Sequence, residues 1–204
     1  MELYDTEEQQ VEAIKDWWKE NGKAVILGSV IGLSGLFGWQ YYQDSVIAAQ
    51  DEASQSYSVA VEALAKDGAD AFADVESFIS GHKDTQYSVL AALQLAKAQV
   101  DAGDPDAALS QLQWAKENSG DDTLSPLISL RIARLLAEKG EPEEALSELA
   151  AVKSASWAGR VAELKGDLLL RQGDKDGAYS AYTQAQQAND ASQALQMKLD
   201  DLAR

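Results

Sequence analysis

The chain has 204 residues, no cysteine, one histidine, and 17 Lys and Arg against 34 Asp and Glu, for a formal charge of −17. The missing cysteines exclude thiol catalysis, disulfides and zinc-thiolate sites, and fit an oxidising compartment without proving one. The acidity excludes a basic nucleic-acid footprint and disfavours lying on anionic lipid.

Residues 1–23 read as an amphipathic tail. Thr6 followed by Gln9 predicts a capping box. Val11, Ile14 and Trp18 recur at helical spacing and predict a short helix that Asn21-Gly22 would end. This helix could dock a cytoplasmic or membrane partner. It could also lie at an interface and orient the next segment of the chain.

Residues 24–42 read AVILGSVIGLSGLFGWQYY, a run of 19 without a charge. A helix of that length spans about 28 Å, close to the hydrocarbon core of a bilayer. A transmembrane helix over 24–43 is expected; a buried helix of a soluble protein is the alternative. Lys15, Lys19 and Lys23 precede the run, and the next basic residue is Lys66. By the positive-inside rule the N-terminus is cytoplasmic, with residues 44–204 on the other side. Trp17 and Trp18 before the run, and Trp39, Tyr41 and Tyr42 at its far end, suit the two membrane interfaces. A cleaved leader ending near Val46-Ile47-Ala48 competes with this reading. Such a leader would be far too long and too acidic, which favours an uncleaved signal anchor. Gly28, Gly32 and Gly35 form a small-residue stripe where another membrane helix could approach.

From residue 44 onward no strand pattern occurs, and the fold class is all-α. This part carries 14 Lys and Arg against 27 Asp and Glu, and it is long enough for one packed domain. Three breaks look alike: Gly103-Asp-Pro-Asp-Ala-Ala108, Gly140-Glu-Pro-Glu-Glu-Ala145 and Gly173-Asp-Lys-Asp-Gly-Ala178. A fainter copy begins at Gly68. Periods of 33 to 37 residues predict a solenoid of helix pairs. Gly103, Gly140 and Gly173 would end first helices in the left-handed conformation. Asp104 and Asp174 would cap second helices, Pro105 and Pro142 would open them, and Ser125-Pro126 would open another pair. Ala108, Ala145 and Ala178 are small where helices cross. The expected layout is an atypical first pair at 46–80, repeats at about 85–118, 126–153 and 159–188, and a capping helix at about 191–203.

The pattern resembles the tetratricopeptide repeat. Aligning the glycines puts Ala96, Ala133 and Gly166 at one small position. Ala115, Val152 and Ala185 fall at another, and Leu112, Leu149 and Tyr182 at a bulky one. The family's tryptophan is replaced by Ala92, Ser129 and Ala162, and Lys165 stands where leucine is usual, beside Leu164. No nucleophile with a base, metal-ligand spacing or phosphate loop is found, so no enzyme and no cofactor are expected. His82 reads as a solvated loop residue, and Asp121 and Asp122 as acidic loop decoration. First helices line the binding face of such a stack. That face would carry Leu93, Lys97, Leu130, Arg131, Arg134, Arg160, Leu164 and Arg171, a basic, leucine-bearing groove suited to a protein segment.

From end to end the chain also resembles the YfgM family of Gram-negative inner-membrane proteins. The most specific part is Glu8 to Lys23, EQQVEAIKDWWKENGK, joined directly to the glycine-striped run and then to the repeat glycines. The resemblance implies an ancillary subunit of the SecYEG translocon in the bacterial inner membrane. It implies a membrane-anchored periplasmic chaperone of the PpiD type as partner, and help in passing secreted proteins to it. It further implies a link between the tail and an RcsB-type response regulator, so the alternative function is negative regulation of a stress response. It brings no catalytic residues.

Overall fold

A computed structural model of the protein describes residues 7–202. Thr6 of the expected capping box and Ala203, the last residue of the expected capping helix, lie outside them. Among the described residues the fold is all-α, with nine α-helices and two short 3-10 segments. The chain divides into two compact units, 1–52 and 53–204.

The first unit is the N-terminal part of α1, Glu7–Asp67. The expected break at Asn21-Gly22 does not occur. Asn21 Nδ2 donates to the Trp17 carbonyl at 3.1 Å, and Gly22 is buried beneath the Trp18 ring. Gly costs about 1 kcal/mol in a helix interior. Without a proline or a left-handed residue to divert the chain, continued backbone hydrogen bonding outweighs that cost. Residues 24–42 are exposed along their whole length, with Leu36 and Phe37 more than two-thirds accessible. This is the one described helix long and apolar enough to cross a membrane. The exposure argues against the core helix of a soluble domain, and the length and composition fit a membrane anchor.

The second unit is built of helix pairs. The end of α1 is followed by a 3-10 turn, Gly68–Ala71, and α2, Phe72–Gly81. Then come α3 (Gln86–Asp101) with α4 (Pro105–Asn118), α5 (Ser125–Glu138) with α6 (Pro142–Ala151), and α7 (Ala158–Arg171) with α8 (Lys175–Gln186). The last helix, α9, is Leu195–Leu202.

The three turns inside the pairs share one hydrogen-bond pattern. Gly103, Gly140 and Gly173 have φ of 84°, 85° and 86°. Each glycine donates to the carbonyl three residues back, and the next residue donates five back: Asp104 to Gln99, Glu141 to Leu136, Asp174 to Leu169. This is the Schellman arrangement, which satisfies carbonyls the ending helix leaves free. The chain then enters the next helix at once. Asp104 Oδ1 accepts from Ala107 N at 3.0 Å, and Asp174 Oδ1 from Gly177 N at 2.9 Å. Ala108, Ala145 and Ala178 are fully buried where the paired helices cross.

Four local expectations are corrected. The cap of α5 is Leu124, with Ser125 already inside the helix and offering no side-chain cap. The turn before it is closed instead by Asp121, which accepts from Thr123 N at 2.7 Å. That bond holds the Asp121 carboxyl below its ordinary range. Val152 is not a helical small position, because α6 ends at Ala151 and Val152 is extended. The C-terminal helix begins at Leu195 rather than 191, because Asp190 and Ser192 bond to α7 instead. His82 is half-buried rather than solvated: its ring stacks on Phe78 at 4.7 Å, and Nδ1 lies 3.1 Å from the Phe78 carbonyl oxygen.

Candidate interaction surface

The cleft between α3 and α5 is the best-formed concavity among the described residues that joins sequence-predicted site residues. Its volume is about 310 Å³. Leu93 and Ala96 of α3, Leu112 of α4 and Leu135 of α5 form its apolar floor. All four are buried, so the floor is continuous with the core. Lys97 of α3 and Arg131 and Arg134 of α5 stand on the rim. Asp101 and Glu138 also line it, each the last residue of its helix.

The helical register explains this grouping. Leu93, Lys97 and Asp101 are four apart, and Arg131, Arg134 and Glu138 are three and four apart, so each set lies along one face. The Schellman turns at Gly103 and Gly140 end α3 and α5 alike, which keeps these faces in step. Lys139 reinforces the match: its ammonium contacts Asp106 at 2.7 Å and Glu141 at 3.3 Å, tying the turn of one pair to the start of α4. The Asp106 hydrogen bond holds Lys139 above its ordinary pKa.

Four of the eight residues expected in the groove meet in this cleft: Leu93, Lys97, Arg131 and Arg134. The other four do not. Leu130 and Leu164 are buried in the core, 2% and 6% exposed. Both project inward: Leu130 shares a helix face with buried Pro126 and Ala133, four before it and three after, and Leu164 takes up the core role that the exposed Lys165 leaves. Arg160 covers the Trp157 ring at 5.1 Å, and Arg171 is exposed in the last turn of α7. Sequence reasoning missed Asp101, Leu112, Leu135 and Glu138. Their signal was present as positions three to seven residues from the predicted ones on the same helices, except for Leu112, which arrives from α4. Gly28, Gly32 and Gly35 face open space on α1, with no atom within 4 Å of an added Cβ.

Residues 15–204 match the model of the tetratricopeptide repeat-like domain family. A protein of Escherichia coli (strain K12) named ancillary SecYEG translocon subunit is 37% identical over 207 residues, covering 100% of both chains. The chain belongs to the family of ancillary SecYEG translocon subunits. A member from Haemophilus influenzae is 35% identical over 96% of this chain and 97% of its own. One from Aggregatibacter actinomycetemcomitans is 37% identical over the same shares. Among solved structures, MamA matches with a TM-score of 0.54 over 78% of this chain and 87% of its own. At 15% identity that likeness shows the fold alone.

Proposed function

We propose that this chain is a membrane-tethered interaction scaffold of the Sec translocon, and not an enzyme. Residues 24–43 anchor it, the tail 1–23 faces the cytoplasm, and the repeats 44–204 work in the periplasm. There they recruit a membrane-anchored chaperone of the PpiD type and help pass secreted proteins to it. The full-length similarity to proteins named as translocon subunits carries this reading. The exposed apolar run and the cleft between α3 and α5 support it, since one provides an anchor and the other a docking surface.

The test is crosslinking in cells and then purification of the full-length chain in mild detergent. Translocon subunits and a periplasmic chaperone should copurify. The combined variant Arg131→Glu with Arg134→Glu should retain the translocon and lose the chaperone. Recovery of neither partner with the unaltered chain would overturn the scaffold reading. A second reading rests on the tail, where Val11, Ile14, Trp17 and Trp18 are about half exposed or more. In it the tail restrains an RcsB-type cytoplasmic regulator. A chain ending at residue 43 should then keep that regulation without any chaperone contact.

A further inference from the structure

The cleft between α3 and α5 has a polarity as well as an apolar floor. Each pair folds back on itself, so α3 and α5 run in the same direction. On both helices the cations come first and the acids last: Lys97 before Asp101, Arg131 and Arg134 before Glu138. The cleft therefore has a basic end and an acidic end. The C-termini of both helices lie at the acidic end, and their dipoles add negative potential there.

These charges remain available for a ligand. Lys116, Lys139 and Lys198 of the same unit are held by carboxylates from other elements or turns. Arg131, Arg134 and Glu138 have no ion-pair partner within 4.0 Å among the described residues. Lys97 and Asp101 do meet at 3.3 Å, but both side chains are largely exposed, so the pair is weak in water and yields readily. The excess of acid in the unit repels polyanions, and the apolar floor does not suit a phosphate.

We infer that the cleft takes a segment of a partner protein with a large apolar side chain flanked by acidic residues on one side and basic residues on the other. The apolar group enters over Leu112 and Leu135, the carboxylates face Lys97, Arg131 and Arg134, and the amines face Asp101 and Glu138. This rests on the docking reading above and adds the chemistry of the occupant. A uniformly acidic segment meets repulsion at one end, and a uniformly basic one at the other.

The test uses the full-length protein in uncharged detergent micelles and three fluorescent nonapeptides that share a Leu-Phe-Leu centre. One has acidic and basic flanks, one has two acidic flanks and one has two basic flanks. Fluorescence anisotropy should rank the mixed peptide about tenfold tighter than the other two. Glu138→Lys should move the preference to the doubly acidic peptide. Arg131→Glu with Arg134→Glu should move it to the doubly basic one. Equal binding of all three, unchanged in both variants, would sink the charge reading and leave a merely apolar dock. No binding of any peptide to the folded chain would remove the dock as well. Displacement of the mixed peptide by unlabelled protein would make a second copy the occupant and overturn the assignment to a partner.

Discussion

Gly166 and Tyr182 show how single residues set the packing between helices. In the two preceding pairs the corresponding positions hold Ala96 with Leu112 and Ala133 with Leu149, all buried. In the last pair the small side is reduced to glycine and the large side is a tyrosine. A Cβ on Gly166 would overlap the Tyr182 ring. Gly166→Ala should therefore destabilise the chain by about 1–3 kcal/mol, the usual cost of overpacking. Adding Tyr182→Leu should recover part of that loss in a double-mutant cycle monitored by thermal melting. Gly103 and Gly140 serve a different purpose. No atom lies near their missing Cβ atoms, but their φ values require glycine. Gly140→Ala should cost about 1–2 kcal/mol through backbone strain alone. A second substitution at any packing neighbour should leave that cost unchanged.

At the scale of elements, the C-terminal end is fixed by charges that converge from helices far apart in sequence. Asp190, in the loop after α8, accepts from Gly159 N at 2.7 Å and Arg160 N at 3.1 Å, and so caps α7. Asp190→Ala should cost about 1 kcal/mol, as the loss of an N-cap does. Lys198 of α9 reaches Asp167 at 2.7 Å and Glu163 at 2.8 Å on α7. Tyr182 of α8 donates to Asp167 at 2.7 Å, and Ser192 donates to Glu163 at 2.9 Å. Glu163 is nearly buried, so removing its cation leaves a carboxylate poorly solvated. Lys198→Met should destabilise by about 1–3 kcal/mol, reduced from the fully buried case because Lys198 is itself partly exposed. Limited proteolysis between α8 and α9 should report it first.

The same cluster predicts a response to alkali. Burial holds the Tyr182 phenol well above its ordinary pKa of 10.0, and the hydrogen bond to Asp167 adds to that. For Lys198, burial lowers the value, but the bonds to Asp167 and Glu163 raise it more, leaving it above 10.5. Both groups keep their protons in the folded state at a pH where the unfolded chain releases them. Their contribution is present below about pH 10 and falls as the pH rises through the folded values. Melting temperatures measured from about pH 8 to 11 should decline, and Tyr182→Phe should flatten part of the decline.

For the whole molecule, the absence of cysteine gives a direct test of topology. Single cysteines at Gln10 and Ser45 flank the apolar run. In intact spheroplasts a membrane-impermeant maleimide should label Ser45→Cys and spare Gln10→Cys until the membrane is opened. Labelling of both, or the reverse order, would contradict the positive-inside assignment of Lys15, Lys19 and Lys23.

How far the sequence reaches at this scale depends on the range of the forces involved. The all-α class, the apolar run and the glycine turns are local matters. Hydrophobic period, a left-handed glycine and the Asp or Pro after it act within a few residues, so they are visible in order along the chain. The same locality misled at Asn21-Gly22, where a pair of weak helix formers reads as a stop and continued backbone hydrogen bonding carries the helix through beneath the Trp18 ring. It also misled at Ser125, whose capping role was taken by a turn that Asp121 closes. His82 has loop residues on both sides in sequence, yet it stacks on Phe78 one helical turn back.

Contacts between residues some thirty apart were decided by tertiary structure alone. The rotation of each helix about its axis determines whether a leucine meets the core or a cleft, and that rotation is set by every neighbouring helix at once. Leu93 therefore floors the cleft while Leu130 and Leu164 are lost to the core, and Leu112 enters from a second helix. Asp190 on Gly159 and Lys198 on Asp167 arise for the same reason. The sequence by itself determined where most helices start and turn and which one is apolar enough to cross a membrane, because backbone and hydration energies there are local. Which side chains share a surface was left to packing, because close packing couples all the helices of the stack.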